Sequence, residues 1–257
     1  MNRICERAIK IGLPALIFTE HLDFEESWRA DDGDLGEWPQ KYVDSAGRVR
    51  VPRLDVEGYL AAVDHCRARY PELKILTGVE FGQPHLHDAE AADLLSSGAI
   101  DRVNGSLHTL PFRDGDRAEP ATLFRYRSPD EVMWAYLEEI PRMVAGSDSF
   151  QVFTHIDYAL RSWPVAEFGP FDPRRYEEGL RAAMRSIADS GRALEMNTRR
   201  LWPWVPEWWA QEGGKEVSFG SDAHWPSSLA AFFPEAMAMV EAFGFSPGHH
   251  PEDFWTR

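Results

Sequence analysis

The sequence predicts an α/β fold in which a parallel sheet is flanked by helices. Three observations carry that prediction. Short apolar runs of strand type alternate with stretches of helical period along the chain. The strand runs are apolar on both faces, as in a sheet covered on each side. Most of them end in a residue that can ligate a metal, and a parallel sheet gathers its strand ends at one edge. An open doubly wound sheet and a barrel both satisfy this pattern.

The first predicted helix covers Asn2 to Ile11, with Ile4, Ala8 and Ile11 on one face and Gly12 as its stop. Ala15 to Thr19 reads as a buried strand that runs into Glu20-His21. Asp23 to Arg53 is polar and broken by Gly33, Gly36, Pro39 and Gly47, an excursion of the length that tends to be functional. A helix follows from Asp55, its cap, to Tyr70. Leu73 to Val79 is a strand ending at Glu80, Asp88 to Ser97 a helix, and Ile100 to Leu107 a strand ending at His108. After a loop over Pro111 to Arg127, Ser128-Pro129 opens a helix that reaches Ala145 with a kink at Pro141. Phe150 to Thr154 is a strand ending at His155, and Asp172-Pro173 starts a helix that stops at Gly191. Ala193 to Met196 is a strand ending at Asn197. The Trp202 to Gln211 stretch is part helix, Val217 to Phe219 a strand, and Pro234 to Phe243 the last helix before a short tail. No repeat or linker divides the chain, so residues 1–257 are expected to form a single domain.

Composition narrows the function. The hydrophobic fraction of 44% is that of a globular protein. The formal net charge is -15, without a Lys/Arg cluster, which argues against nucleic acid as a partner. No run reaches the roughly 18 apolar residues of a membrane span, and Met1 to Lys10 has no apolar signal-peptide core. Cys5 and Cys66 supply neither a disulfide framework nor a CxxC site. A cytoplasmic protein acting on a small molecule is the expectation. No GxGxxG, P-loop or GxSxG motif is present.

The strand ends carry the chemistry. His21, Glu80, His108, His155, Asp222 and His224 fall at one edge of the predicted sheet. Asp222 and His224 stand two positions apart at a strand end, where i and i+2 share a face. One ion needs only about three or four protein ligands. Six therefore suggest more than one ion, with the two oxygens of Glu80 suited to bridging. Mixed imidazole and carboxylate ligation admits zinc, manganese, iron or cobalt. Of the other histidines, His65, His249 and His250 read as packed or surface residues. His85-Leu86-His87 has the form of a ligand pair but lies in a loop just past Glu80.

Five segments, in order and spacing, resemble the later motifs of the PHP (polymerase and histidinol phosphatase) family. They are Thr19-Glu20-His21, Gly78-Val79-Glu80, Gly105-Ser106-Leu107-His108, Thr154-His155-Ile156-Asp157 and Gly220-Ser221-Asp222-Ala223-His224. The resemblance covers nearly the whole chain. It implies a distorted (β/α)7 TIM-like barrel and a metal cluster of up to three ions that hydrolyses phosphate esters. Glu80 would then bridge two metals, and His108 and His155 would complete the second metal. Asp222 would serve the first, and His21 with His224 the third. Glu80, His155 and Asp222 would be the catalytic positions, with metal-activated hydroxide attacking phosphorus. The long loop after His21 and Glu195-Met196-Asn197-Thr198 are most similar to the histidinol phosphatase branch. That branch implies conversion of L-histidinol phosphate to L-histidinol in histidine biosynthesis.

The family opens on a strand with an HxH motif, which this chain lacks. The resemblance therefore implies a barrel without its first strand, fewer than three ions, and a polypeptide that is poorly stable or weakly active as written. A start further upstream, a shortened binding-only relative, and partial substitution by His85 and His87 are the three explanations. Another small phosphate ester is the alternative substrate class, and a catalytically impaired metal-binding PHP relative the alternative function.

A phosphate monoester invites an Arg fork. Arg161, shortly after His155, and Arg199, just after Asn197, are the expected phosphate-binding residues, with Arg200 next. Trp202, Trp204, Trp208 and Trp209 read as helix packing before pocket rim. Trp28, Trp38 and Trp163, in loops near the ligand-bearing ends, are candidates for a lid.

Overall fold

The computed structural model describes residues 1–31 and 42–257. Among the described residues the strands are β1 Ala15–Leu22, β2 Trp28–Arg29, β3 Lys74–Gly82, β4 Arg102–Ser106, β5 Leu110–Pro111, β6 Arg117–Ala118, β7 Val152–Phe153, β8 Ala193–Asn197, β9 Glu216–Gly220 and β10 Trp255–Thr256. The helices are α1 Asn2–Lys10, α2 Val56–Arg69, α3 Pro84–Ser96, α4 Pro120–Leu123, α5 Pro129–Gly146, α6 Val165–Phe168, α7 Glu177–Asp189, α8 Trp204–Gln211 and α9 Phe233–Glu241. Both N-caps expected from the sequence are made. Asp55 accepts from the Gly58 N–H at 3.0 Å. Ser128 and Glu131 form a reciprocal capping box.

Seven strands form one sheet in the order β1-β3-β4-β7-β8-β9-β10. The pairings from β1 to β9 are parallel, and β10 joins antiparallel. Because the parallel strands share a direction, their carboxyl ends lie at one edge, as the alternation of elements predicts. Register does the finer placing: His21 stands beside Glu80, and Glu80 beside Asn104.

Among the described residues nothing pairs with the outer edge of β1, so the curled sheet is open between β1 and β9. Strand β10 covers β9 only at Glu216 and Val217. A cavity of about 480 Å³ fills the opening, lined among others by Leu16, Phe18, Glu80, Glu195, Phe219 and Asp222. The strands that flank it show the consequence. Ala15, Leu16 and Ile17 of β1 and Phe219 of β9 are only half-buried, whereas Ala193 to Met196 of β8 are fully buried. This opening is where a barrel without its first strand would be incomplete.

The main core lies between the sheet and α3, α5, α7 and α8. A second apolar cluster joins α1 and α2 to β1 through Cys5, Ala8, Phe18, Tyr59 and Val63.

Several elements differ from expectation. The two long loops are not wholly irregular: β2, β5 and β6 form a small second sheet. The C-terminal tail contributes β10. Helix α3 starts at Pro84, ahead of the expected Asp88, and bends at His87, whose φ/ψ is non-helical. Helix α5 continues through Pro141 to Gly146. The lid expected from the tryptophans is not formed by Trp28 and Trp163, which are 3% and 9% exposed and packed in core clusters; Trp38 lies outside the described residues.

Candidate metal centre

Glu80 is the hub. It stands near the carboxyl end of β3, and its side chain is largely buried. Its Oε1 meets His108 Nε2 at 2.9 Å and His155 Nε2 at 2.7 Å. Its Oε2 is 4.0 Å from His21 Nδ1. The His108 and His155 rings are stacked, with centroids 5.3 Å apart. Tyr158 packs against both rings, at 4.9 and 5.1 Å. One ligand atom each from His21, Glu80 and His108 falls within 4.8 Å of the others.

Asp222 and His224 come to the same edge after β9 but sit on its open side. Asp222 adopts a positive φ of 47°, a conformation that costs a non-glycine residue energy and that also occurs at His155 (φ 28°). Asp222 Oδ2 accepts from Arg161 Nη1 at 3.0 Å. The His224 ring stands 6.2 Å from that of His21, and its Nδ1 lies 3.2 Å from the Asp222 carbonyl.

Arg161 is the best-prepared cation. Its Nε and Nη2 are buried without a hydrogen-bond partner, although Nη1 is taken by Asp222. Two unused N–H groups on one guanidinium form the fork that a phosphate oxygen pair fits. Arg199 is exposed at the rim, with Nη1 3.5 Å from the Asp222 carbonyl oxygen. Ser106 and Asn197 take structural roles: Ser106 Oγ donates to the Phe81 carbonyl, and Asn197 Oδ1 accepts from the Arg199 N–H.

His85 and His87 do not approach the cluster through any of their contacts. His85 Nε2 pairs with Glu139 at 3.1 Å, and His87 with Glu25 at 3.6 Å and Glu90 at 3.4 Å. Arg117 bridges Glu25 and Glu139, so these groups form a separate charged network behind the site. Substitution of ligands by this pair is therefore not what the structure shows.

Two groups were missed from sequence. Asp23 is 8% exposed and lies 3.3 Å from His21 Nδ1 and 3.8 Å from His108 Nδ1. Its position two residues after His21 is the signal, the same alternation that singles out Asp222 and His224. Glu195 is also buried, lines the cavity, and keeps Oε1 without a hydrogen-bond partner. Its carboxyl lies flat on Gly220, where a Cβ would come within 2.3 Å of Oε2; only glycine leaves that room.

The electrostatics follow from burial and from how few cations are present. Burial opposes charge on Glu80, but His21, His108 and His155 outweigh it and hold Glu80 well below the carboxylate range. Burial likewise opposes charge on His108, yet Asp23 and Glu80 push it up to about 10. His21 is raised to about 9 against its burial, by Glu80 and Asp23. His155 goes down, chiefly by burial. Glu195 is pushed up to about 8 by burial, then by the charges of Asp222 and Glu80. A site with this excess of carboxylates and imidazoles holds protons where divalent cations would serve. The donor set fits the metals inferred from sequence: buried imidazole nitrogens converge on one carboxylate oxygen.

Comparison with known proteins agrees with this architecture. Residues 1–199 match the PHP domain family. A Clostridium acetobutylicum protein named probable histidinol-phosphatase is 25% identical over 188 residues, covering 70% of this chain and 72% of that protein. A Thermotoga maritima protein of the same name is 26% identical over 125 residues, covering 46% of this chain and 51% of that one. Among solved structures, a Lactococcus lactis histidinol phosphate phosphatase complexed with zinc, L-histidinol and phosphate superimposes with a TM-score of 0.73 at 22% identity. The superposition covers 95% of this chain and 87% of that one. The corresponding Listeria monocytogenes structure, a putative histidinol phosphatase by its own description, gives 0.65 at 16% identity, over 91% and 92%.

Proposed function

We infer, from the premise that this chain belongs to the PHP domain family, that it is a metal-dependent phosphomonoesterase whose substrate is L-histidinol phosphate. The single observation that carries the chemistry is the convergence of His108 and His155 on Glu80 Oε1, with the two free N–H groups of Arg161 at the same edge. The substrate follows from the relatives named histidinol-phosphatase and from the fold shared with the Lactococcus lactis enzyme.

In this reading His21, Glu80, His108, His155, Asp222 and His224 hold zinc, manganese or iron. When bound, the ions supply a water made acidic enough to lose a proton near neutral pH and neutralise charge on the phosphoryl oxygens. The chain's own residues do the rest. Arg161 orients the phosphate through Nε and Nη2, and Arg199 closes the rim. Glu80 and His155 hold the nucleophile's side of the site in a fixed geometry, and Asp222 keeps Arg161 aimed inward. The sheet runs from β1 to β10, which supports reading the whole chain as one PHP domain. A cytoplasmic address accords with the small-molecule substrate, and among the described residues no helix is long and apolar enough to cross a membrane.

The test is a panel of phosphate monoesters assayed with each metal. The expected result is a kcat/KM for L-histidinol phosphate at least about tenfold above sugar and nucleotide monophosphates, a preference equivalent to about 1.4 kcal/mol. Equal rates across the panel would leave a general PHP phosphoesterase and remove this substrate assignment.

A further inference from the structure

Asp23 is a buried carboxylate for which the proposed reaction has no use. It follows the end of β1 and is 8% exposed. Its Oδ2 lies 3.3 Å from His21 Nδ1, and its Oδ1 lies 3.8 Å from His108 Nδ1. One ring stands on β1 and the other just after β4, with centroids 5.9 Å apart, so one carboxylate spans both. For His108 the division of labour is explicit: Nδ1 faces Asp23 while Nε2 meets Glu80 at 2.9 Å.

Two further features fix the carboxylate there. Gly82 faces it so closely that a Cβ would fall 2.0 Å from Asp23 Oδ1, so the glycine makes the space the side chain occupies. The backbone at Asp23 is tied as well, because its carbonyl accepts from Arg53 Nη1 at 3.1 Å.

We propose that Asp23 is a positioning residue: its carboxylate faces Nδ1 of both His21 and His108, fixes the orientation of the two rings, and so presents them to the metals. A ring nitrogen that donates to a carboxylate sets the tautomer and raises the basicity of the other nitrogen. Sharing one carboxylate makes the two ligands act together, because movement of Asp23 releases both rings. The proposal rests on the metal-centre reading above but not on the substrate.

The test measures metal binding and imidazole protons in Asp23→Asn, Asp23→Ala and Gly82→Ala. Zinc affinity of the metal-free protein is read by competition with a chromophoric chelator. The imidazole N–H resonances of the zinc-loaded protein are read by 15N–1H correlation. Wild type is expected to show slowly exchanging Nδ1–H protons at His21 and His108. Asp23→Ala is expected to lose both and to bind zinc about 10–100-fold more weakly. Asp23→Asn, which keeps one acceptor oxygen, falls between. Gly82→Ala, which touches the centre by displacing Asp23, shifts in the same direction. If Asp23→Ala does not fold, the Asp23→Asn and Gly82→Ala pair carries the test. Unchanged zinc affinity, or unchanged Nδ1–H resonances, in the folded variants would overturn the proposal. Because no phosphate ester is used, failure here leaves the substrate assignment standing, and inactivity on L-histidinol phosphate leaves Asp23 standing.

Discussion

The two sides of the candidate metal centre are built differently. On the side of β3, β4 and β7, His108 and His155 lie 2.9 and 2.7 Å from the same Glu80 oxygen, and both imidazoles are buried. On the side of β9, the His224 side chain is 55% exposed, and Asp222 is held by Arg161. The cause is topological. Strands β3, β4 and β7 each have a neighbour on both sides, whereas β1 and β9 flank the opening. Groups on the closed side are preorganised by packing, and groups on the open side take their order from whatever binds there.

That contrast predicts unequal effects. The largest belongs to the closed side. His155→Ala should lower kcat/KM by about 10²–10³-fold, the size expected for removing one electrostatic anchor of a transition state. Arg161→Ala should cost about 10²-fold, and Arg161→Lys should recover little, because a point charge does not replace a fork. On the open side, His224→Ala should cost only about tenfold, or roughly 1.4 kcal/mol. Steady-state kinetics on the three variants checks the order, and a loss at His224 equal to that at His155 would break the comparison.

Protonation sharpens it. With folded values of about 9 and 10, His21 and His108 both carry protons at pH 7 in the metal-free protein. Ions filling the centre at His21 and His108 should therefore release about two protons, and affinity should climb as pH rises toward those values. Calorimetry in buffers of different ionisation enthalpy measures this directly.

The smallest effect concerns the network behind the site. Glu139 is held down at about 2, chiefly by His85 and against its burial, below its ordinary value of 4.5. A folded value below the unfolded one means the stabilisation is fully present above about pH 4.5 and lost as pH falls to about 2. Glu139→Gln should leave kcat nearly unchanged, cost about 3 kcal/mol at neutral pH, and flatten the acid limb of the stability curve. Denaturant melts between pH 2 and 7 read both effects.

Much of this was legible in the sequence, for a definite reason. Alternating β and α elements force strand ends to one edge, so His21, Glu80, His108, His155 and Asp222 could be grouped without knowing any distance. What escaped depends on contacts between distant segments. The HxH spacing of His85 and His87 looks like a ligand pair, yet Glu139 and Glu25, far off in sequence, claim both rings. Strands β2, β5, β6 and β10 are two residues each, too short for any periodic signal. Glu195 stands out only once Gly220 is seen to make room for it.

The most direct measurement starts from chelator-treated protein and follows phosphate release from L-histidinol phosphate as manganese or zinc is restored. The account predicts no release without metal and saturable release with it. Activity should be regained as the ion fills the Glu80, His108 and His155 side, and reach only about 10⁻²–10⁻³ of that level in His155→Ala. Full activity in the presence of chelator, or no release with any ion, would contradict it.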